Sequence, residues 1–294
     1  MDTIGVQDLW TFRDGGENAE VAQCDEVRSS DGHLVSDYVE LAAKIAELQF
    51  RNRDFVLLFR GQSQDYKDDK RRSTLQPSLF RLATRRFDAN RREYDPFAIP
   101  IRFEKLEKFE SALIEEFAVS DFLGSDEISR YKILRWSLLQ HYEVCETPLL
   151  DVTHSLRIAA SFASLDNESD EAFLYVLGVP NISGAISASA EAGLQVVRLS
   201  SVCPPAAMRP HLQEGYLLGI YPEIDSQKQK QNYGLPEIDF GKRLIAKFRF
   251  KPTAFWTKSG QFQMIGRQAL YPSANRDPLY ALAKKVERLA KNEL

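Results

Sequence analysis

The chain has 294 residues, 44% of them apolar and 27% charged, enough to bury a substantial core and too apolar to stay disordered. Three widely spaced cysteines (Cys24, Cys145, Cys203) make no disulfide framework, and four histidines without an HxxxH or CxxC pattern predict no metal centre. No apolar run is long enough to cross a bilayer and no signal-peptide pattern opens the chain, so at a net charge of −4 a soluble, cytoplasmic protein with no membrane partner is expected.

Residues 1–35 carry scattered polar residues and Gly15-Gly16, and read as an irregular N-terminal extension. From Ser36, a natural N-cap, Val39, Leu41, Ile45 and Leu48 recur at helical spacing with Glu40 and Lys44 as an i, i+4 pair. This helix leads into an apolar strand over Phe55 to Phe59. Arg60 follows at its end with Gly61 and Gln62, which puts a permanent charge at the rim of a sheet with the backbone free to approach a ligand. Between Lys67 and Arg92 nine basic residues face only Asp68, Asp69 and Asp88. Such a patch suits the phosphates of a nucleotide or nucleic acid, or is simply a solvated face. Residues 101–117 form a long amphipathic helix whose polar side mixes both signs, which makes it a core helix and not a membrane-surface one.

The stretch Trp136 to Ala163 organises the chain. Leu134, Leu138, Leu139 and Tyr142 continue a helix, Pro148 closes the turn, and Leu149-Leu150 begin a buried strand. Asp151, Thr153 and Ser155 are short polar residues placed to cap the next helix, whose Ala159, Ala160, Phe162 and Ala163 make a close-packing face. A helix start presents unpaired N–H donors, so a ligand is expected there; plain architecture is the competing explanation. His141 is either satisfied by a backbone carbonyl or functional, and Tyr142 is either a core or a stacking aromatic.

Further on, residues 172–179 read as a strand buried on both faces, 182–193 as a loop or short helix, 196–199 and 216–221 as strands. Residues 242–250 alternate like a half-exposed antiparallel strand, and 278–292 close the chain as a charged amphipathic helix. With no repeat or linker, the pattern predicts a single α+β domain over 36–270, the N-terminal extension over 1–35 and a C-terminal helical segment over 271–294.

Four motifs then fall in one order: Phe59-Arg60-Gly61-Gln62; Leu75-Gln76-Pro77-Ser78-Leu79-Phe80-Arg81; Gln140-His141-Tyr142 with Leu149-Leu150-Asp151-Val152-Thr153 and Ala159 to Ala163; and Arg209-Pro210-His211-Leu212-Gln213-Glu214-Gly215-Tyr216. In this the chain resembles the FRG domain family, from about Val35 to Gly219. Glu143 stands where that family usually has glycine, and Val152 where it usually has Trp. The order of motifs also resembles that of ADP-ribosyltransferases, which implies a central mixed or antiparallel sheet flanked by helices, with NAD as substrate. Carried over, Arg60, Thr153 and Gln213, with Glu214 as rival for the third place, become the catalytic positions, and Gly61, Gln62, His141, Tyr142, Asp151 and Ser155 the residues around NAD. A glutamine at the third place departs from the usual acid and can only hydrogen-bond. The resemblance implies ADP-ribosyl transfer to a macromolecule, protein or nucleic acid, with RNA or DNA reached through the basic patch. It further implies a toxin of a phage-defence or toxin–antitoxin system, neutralised by an antitoxin protein. The alternative is a non-catalytic nucleotide or nucleic-acid binding module.

Overall fold

The computed structural model describes residues 4, 6–81, 98–181, 183–234 and 237–292, and the backbone of 84–88 and 91–94. The chain begins with an antiparallel pair, β1 (Leu9–Thr11) and β2 (Glu20–Ala22), followed by α1 (Cys24–Ser29), β3 (His33–Leu34), α2 (Tyr38–Arg51) and β4 (Val56–Gln62). A second pair, β5 (Thr84–Asp88) and β6 (Arg91–Tyr94), precedes α3 (Ala98–Ala118), α4 (Ser125–Arg130) and α5 (Lys132–His141). Next come β7 (Leu150–Thr153), α6 (Leu156–Ser164), β8 (Ala172–Val179), β9 (Ile186–Ser189), β10 (Leu194–Arg198), α7 (Leu199–Val202), α8 (Arg209–Leu212) and β11 (Gly215–Ile220). The chain ends with α9 (Gln227–Lys230), β12 (Leu244–Phe250), α10 (Pro252–Lys258), α11 (Arg267–Leu270) and α12 (Pro278–Asn292).

Eight strands make one sheet in the order β3-β12-β8-β4-β7-β11-β10-β9. Only β3 runs parallel to its neighbour, β12; every other pairing is antiparallel, so the fold is α+β around a mixed sheet. Helices cover both faces. Phe103, Leu106, Trp136, Leu139 and Val286 from α3, α5 and α12 bury one face, and Leu41, Leu48, Ala159 and Ala163 from α2 and α6 bury the other. The unbroken apolar run of β8 follows from this, because Leu177 contributes to one core and Val176 to the other. Among the described residues no helix is long and apolar enough to cross a membrane.

Four local expectations are corrected. Residues 9–34 are not irregular: they form β1, β2, α1 and β3, with Cys24 and Val27 in the core. β12 is not half-exposed, because β3 and β8 flank it and both faces are covered; Lys247 is only 1% exposed. Within 182–193 lies the strand β9, paired with β10 at the end of the sheet, while residue 182 falls outside the described residues. The N-cap of α2 is Asp37, not Ser36: Asp37 accepts from the Glu40 backbone N–H and the Ser36 backbone N–H donates to Glu40 Oε2 at 2.8 Å. Glu40 is thereby engaged away from Lys44, whose Nζ sits 4.3 Å from the Phe12 ring centroid, and Val39 points outward at 54% exposure.

The contact that positions the site is between β4 and α6. A Cβ on Gly61 would lie 1.8 Å from the Ala159 carbonyl oxygen, so only glycine lets the helix cross the strand this closely. Small residues at Ala159, Ala160 and Ala163, all fully buried, complete the close crossing.

Candidate functional site

Beside this crossing a cavity of about 350 Å³ opens, lined by residues 59–63 of the β4 end and 151–153 of β7, with Ala159 and Phe162 from the side of α6. Tyr66, Arg81, His141, Glu143, Arg209, Gln213, Gly215 and Tyr271 complete the wall.

Arg60 lies inside β4 and not beyond its end. Its Nη1 donates to the Asp151 carbonyl oxygen at 2.6 Å, while its Nε is buried with no partner in the protein. Burial lowers its pKa, though a guanidinium stays charged at any ordinary pH. The Asp151 carboxylate accepts from Gln140 Nε2 at 2.6 Å and faces His141 Nδ1 at 3.6 Å. Thr147 in turn donates to Gln140 Oε1, which fixes the amide's orientation. Burial opposes the Asp151 charge, but His141, Gln140 and Arg60 together hold its pKa below the ordinary carboxylate value. Burial, with the Arg209 charge, also holds the His141 pKa below its ordinary value despite Asp151, so it is neutral at pH 7. An ionised carboxylate only accepts, so the Asp151 contact, longer than a hydrogen bond at 3.6 Å, favours the His141 proton on Nδ1 and a lone pair on Nε2. That Nε2 is buried and unpartnered.

In the same wall, Arg209 at the start of α8 holds its guanidinium 4.6 Å from the Tyr271 ring centroid and donates to Glu143 Oε1 at 2.6 Å. Its Nε also has no partner. Among the described residues seven buried side-chain polar atoms lack a partner, and four of them belong to this one wall: Arg60 Nε, Gln62 Oε1, His141 Nε2 and Arg209 Nε. Native proteins leave few such atoms, and their gathering in residues of one wall makes this cavity the candidate site.

Of the sequence-predicted residues, Arg60, Gly61, Gln62, His141, Asp151, Thr153 and Gln213 meet at the cavity; Tyr142, Ser155 and Glu214 do not line it. Tyr142 is 1% exposed, donates to Asp277 Oδ2 at 2.9 Å and stacks near Tyr280, so it is a core residue whose phenol burial pushes far up. Ser155 occupies the N-cap position of α6 without a side-chain cap, and its backbone N–H donates to Thr153 Oγ1. The first turn of α6 is absent from the wall, which receives only Ala159 and Phe162 from this helix. Asp151 is not a cap either, being turned to Gln140 and His141. Thr153 and Gln213 are structurally committed: the Thr153 hydroxyl donates to the Gln213 carbonyl at 2.8 Å, and the Gln213 amide to the Leu270 carbonyl at 2.7 Å. Gly61 lines the cavity and also permits the helix crossing.

Sequence reasoning missed Arg81, Arg209, Phe162 and Tyr271 as wall residues. Arg209 had a signal in its motif, while nothing near Tyr271 distinguishes it from the other tyrosines. The basic segment is broken up: Lys67 lies near Asp31 and Asp65, Arg72 pairs with Asp25 and Asp68, and Arg81 turns to the cavity. The side chains of Arg85, Arg86, Arg91 and Arg92 lie outside the described residues.

The model of the FRG domain family matches residues 56–172, from β4 to the first residue of β8. No curated protein and no solved structure matches the chain. The matched stretch carries Arg60, His141 and Asp151, while Arg209 and Gln213 lie beyond it. Glu143, at the family's usual glycine, has φ 55°, the left-handed conformation that explains the glycine and that a side chain adopts only at a cost. Residues 56–172, which supply most of the cavity wall, are an FRG domain.

Proposed function

We propose that the cavity binds NAD and that the chain is an ADP-ribosyltransferase acting on a macromolecule. The observation that carries this reading is the set of unanswered polar atoms. Arg60 Nε and Arg209 Nε are donors on permanent cations and suit phosphate oxygens; His141 Nε2 and Gln62 Oε1 are acceptors and suit ribose hydroxyls. Each such atom costs about 1–3 kcal/mol when left unpaired, so a ligand bearing both phosphate and ribose recovers a large penalty. A volume of about 350 Å³ is within the usual span of small-molecule clefts.

Breaking the bond between nicotinamide and ribose develops positive charge on the sugar. In this reading Asp151, ionised in the wall, steadies that charge, while Gln213 is neutral and its Nε2 is already given to the Leu270 carbonyl. Arg60 anchors a phosphate, and Phe162 and Tyr271 offer the apolar faces first sought in Tyr142. The toxin role, with an antitoxin protein as partner and RNA or DNA as acceptor, belongs to the same proposal. The second reading, a nucleotide-binding module without turnover, is favoured by the commitment of Gln213 and by Glu214 lying off the wall.

The test is incubation of the purified chain with labelled NAD and a cell lysate, followed by separation of protein, RNA and DNA. Label transferred to one class and absent with Arg60→Ala supports the transferase and names its acceptor. NAD binding without transfer or nicotinamide release supports the module. A folded protein that does not bind NAD sinks the transferase, and one that binds neither a nucleotide nor a nucleic acid sinks the module as well.

A further inference from the structure

We propose that Arg209 is a second phosphate-reading group of the cavity and that Glu143 is an internal competitor for it. This rests on the reading of the cavity as a nucleotide site. Arg209 is 6% exposed, and its position is set from behind: its backbone N–H donates to Asp277 Oδ2 at 2.9 Å and its guanidinium lies against Tyr271. Among the described residues Glu143 is its one carboxylate partner, and that side chain is 63% exposed.

The pair is therefore uneven. Glu143 returns to water easily, because an ion pair with a hydrated partner is weak. Arg209 stays in the wall. Glu143 also engages only one edge of the fork, Nη2 at 2.6 Å, and leaves Nε unanswered. A phosphate bridges Nη2 and Nε together, as a planar guanidinium favours. Glu143 makes its contact from φ 55°, at a cost on the order of 1 kcal/mol that glycine would avoid. With Arg60 Nε unanswered in the same cavity, the ligand class is a nucleotide with a diphosphate bridge, one phosphate to each arginine.

Isothermal titration with ADP-ribose and with adenosine tests this. Glu143→Gln and Glu143→Gly bind ADP-ribose about threefold to tenfold tighter than the parent, as expected for removing a weak ionic competitor. Adenosine, without phosphate, shows no change. Arg209→Gln binds ADP-ribose more weakly, and adding Glu143→Gly to it brings no gain. Arg209→Lys, which keeps the charge without the fork, also binds more weakly and serves if Arg209→Gln does not fold. Parent protein that binds ADP-ribose, with affinity unchanged by Glu143→Gln and by either Arg209 variant, overturns the competitor while leaving the nucleotide site intact. A gain from Glu143→Gly that persists in the Arg209→Gln background overturns it too. Parent protein that binds no ADP-ribose removes the nucleotide reading and this inference together.

Discussion

Two clusters of buried cations flank the middle of the sheet, and they are treated in opposite ways. Around Lys247 every polar group is answered: Nζ donates to Asp65 Oδ2 at 3.0 Å, to Ser73 Oγ at 2.8 Å and to the Ser30 carbonyl. Tyr175 donates to the other Asp65 oxygen at 2.9 Å, and nearby Arg28 binds the Ser73 carbonyl and Asp239. Around Arg60 and Arg209 the same ingredients leave both Nε atoms unpaired. A closed network is architecture, because nothing remains for a ligand to add; an open one, next to a cavity, is a site. The contrast matters more than burial or charge alone, since Lys247 is more buried than Arg60 and binds only the protein.

Three changes break or sharpen this contrast. The largest effect is expected from Lys247→Ala, which removes the nearer of the two cations beside the buried Asp65 carboxylate, leaving Lys67 at 3.7 Å, and lowers stability by about 3 kcal/mol, read as a drop in the urea midpoint. A midpoint that does not move would remove the Lys247 network from the architecture. Arg60→Gln is expected to cost about 1 kcal/mol in the same measurement, because one hydrogen bond to the Asp151 carbonyl is lost. If it costs as much as Lys247→Ala, the two clusters are not different in kind.

The smallest effect lies in pH. His141 in the folded state has a pKa below its ordinary 6.5, because burial and Arg209 oppose its charge, whereas the unfolded chain titrates near 6.5. The unfolded state therefore binds more protons, and the contribution is complete above pH 6.5 and lost as pH falls toward the folded pKa. Asp151, held below the ordinary 3.8, and Arg209 keep their charges throughout that window. Between pH 7 and pH 5 the protein should lose stability, and His141→Gln should lose less, by under about 1 kcal/mol. Identical slopes would show that His141 is not held neutral.

Much of the order of elements was legible because it is local. The 3.6-residue period of Phe103, Leu106, Phe109 and Leu113, the stop at Pro148 and the unbroken apolar run of β8 depend only on neighbours in the chain. Arg60, His141 and Asp151 drew notice for the same reason, as polar residues near the ends of the apolar elements β4, α5 and β7. The misreadings share one cause. Lys247 alternates as an outward residue would, yet Asp65, 182 positions away, answers it inside. Tyr142 and Tyr271 are alike as residues, but Asp277, 135 positions from Tyr142, draws that phenol into the core and leaves Tyr271 to the wall.

By itself, then, the sequence determined the class of fold, the succession of its central helix, strand and helix, and the residues that carry its family motifs. Which polar atoms are answered and which are left open emerged from the packed fold alone. Periodicity belongs to consecutive residues, whereas the satisfaction of a buried polar atom depends on partners brought from distant positions by the packing of the whole sheet.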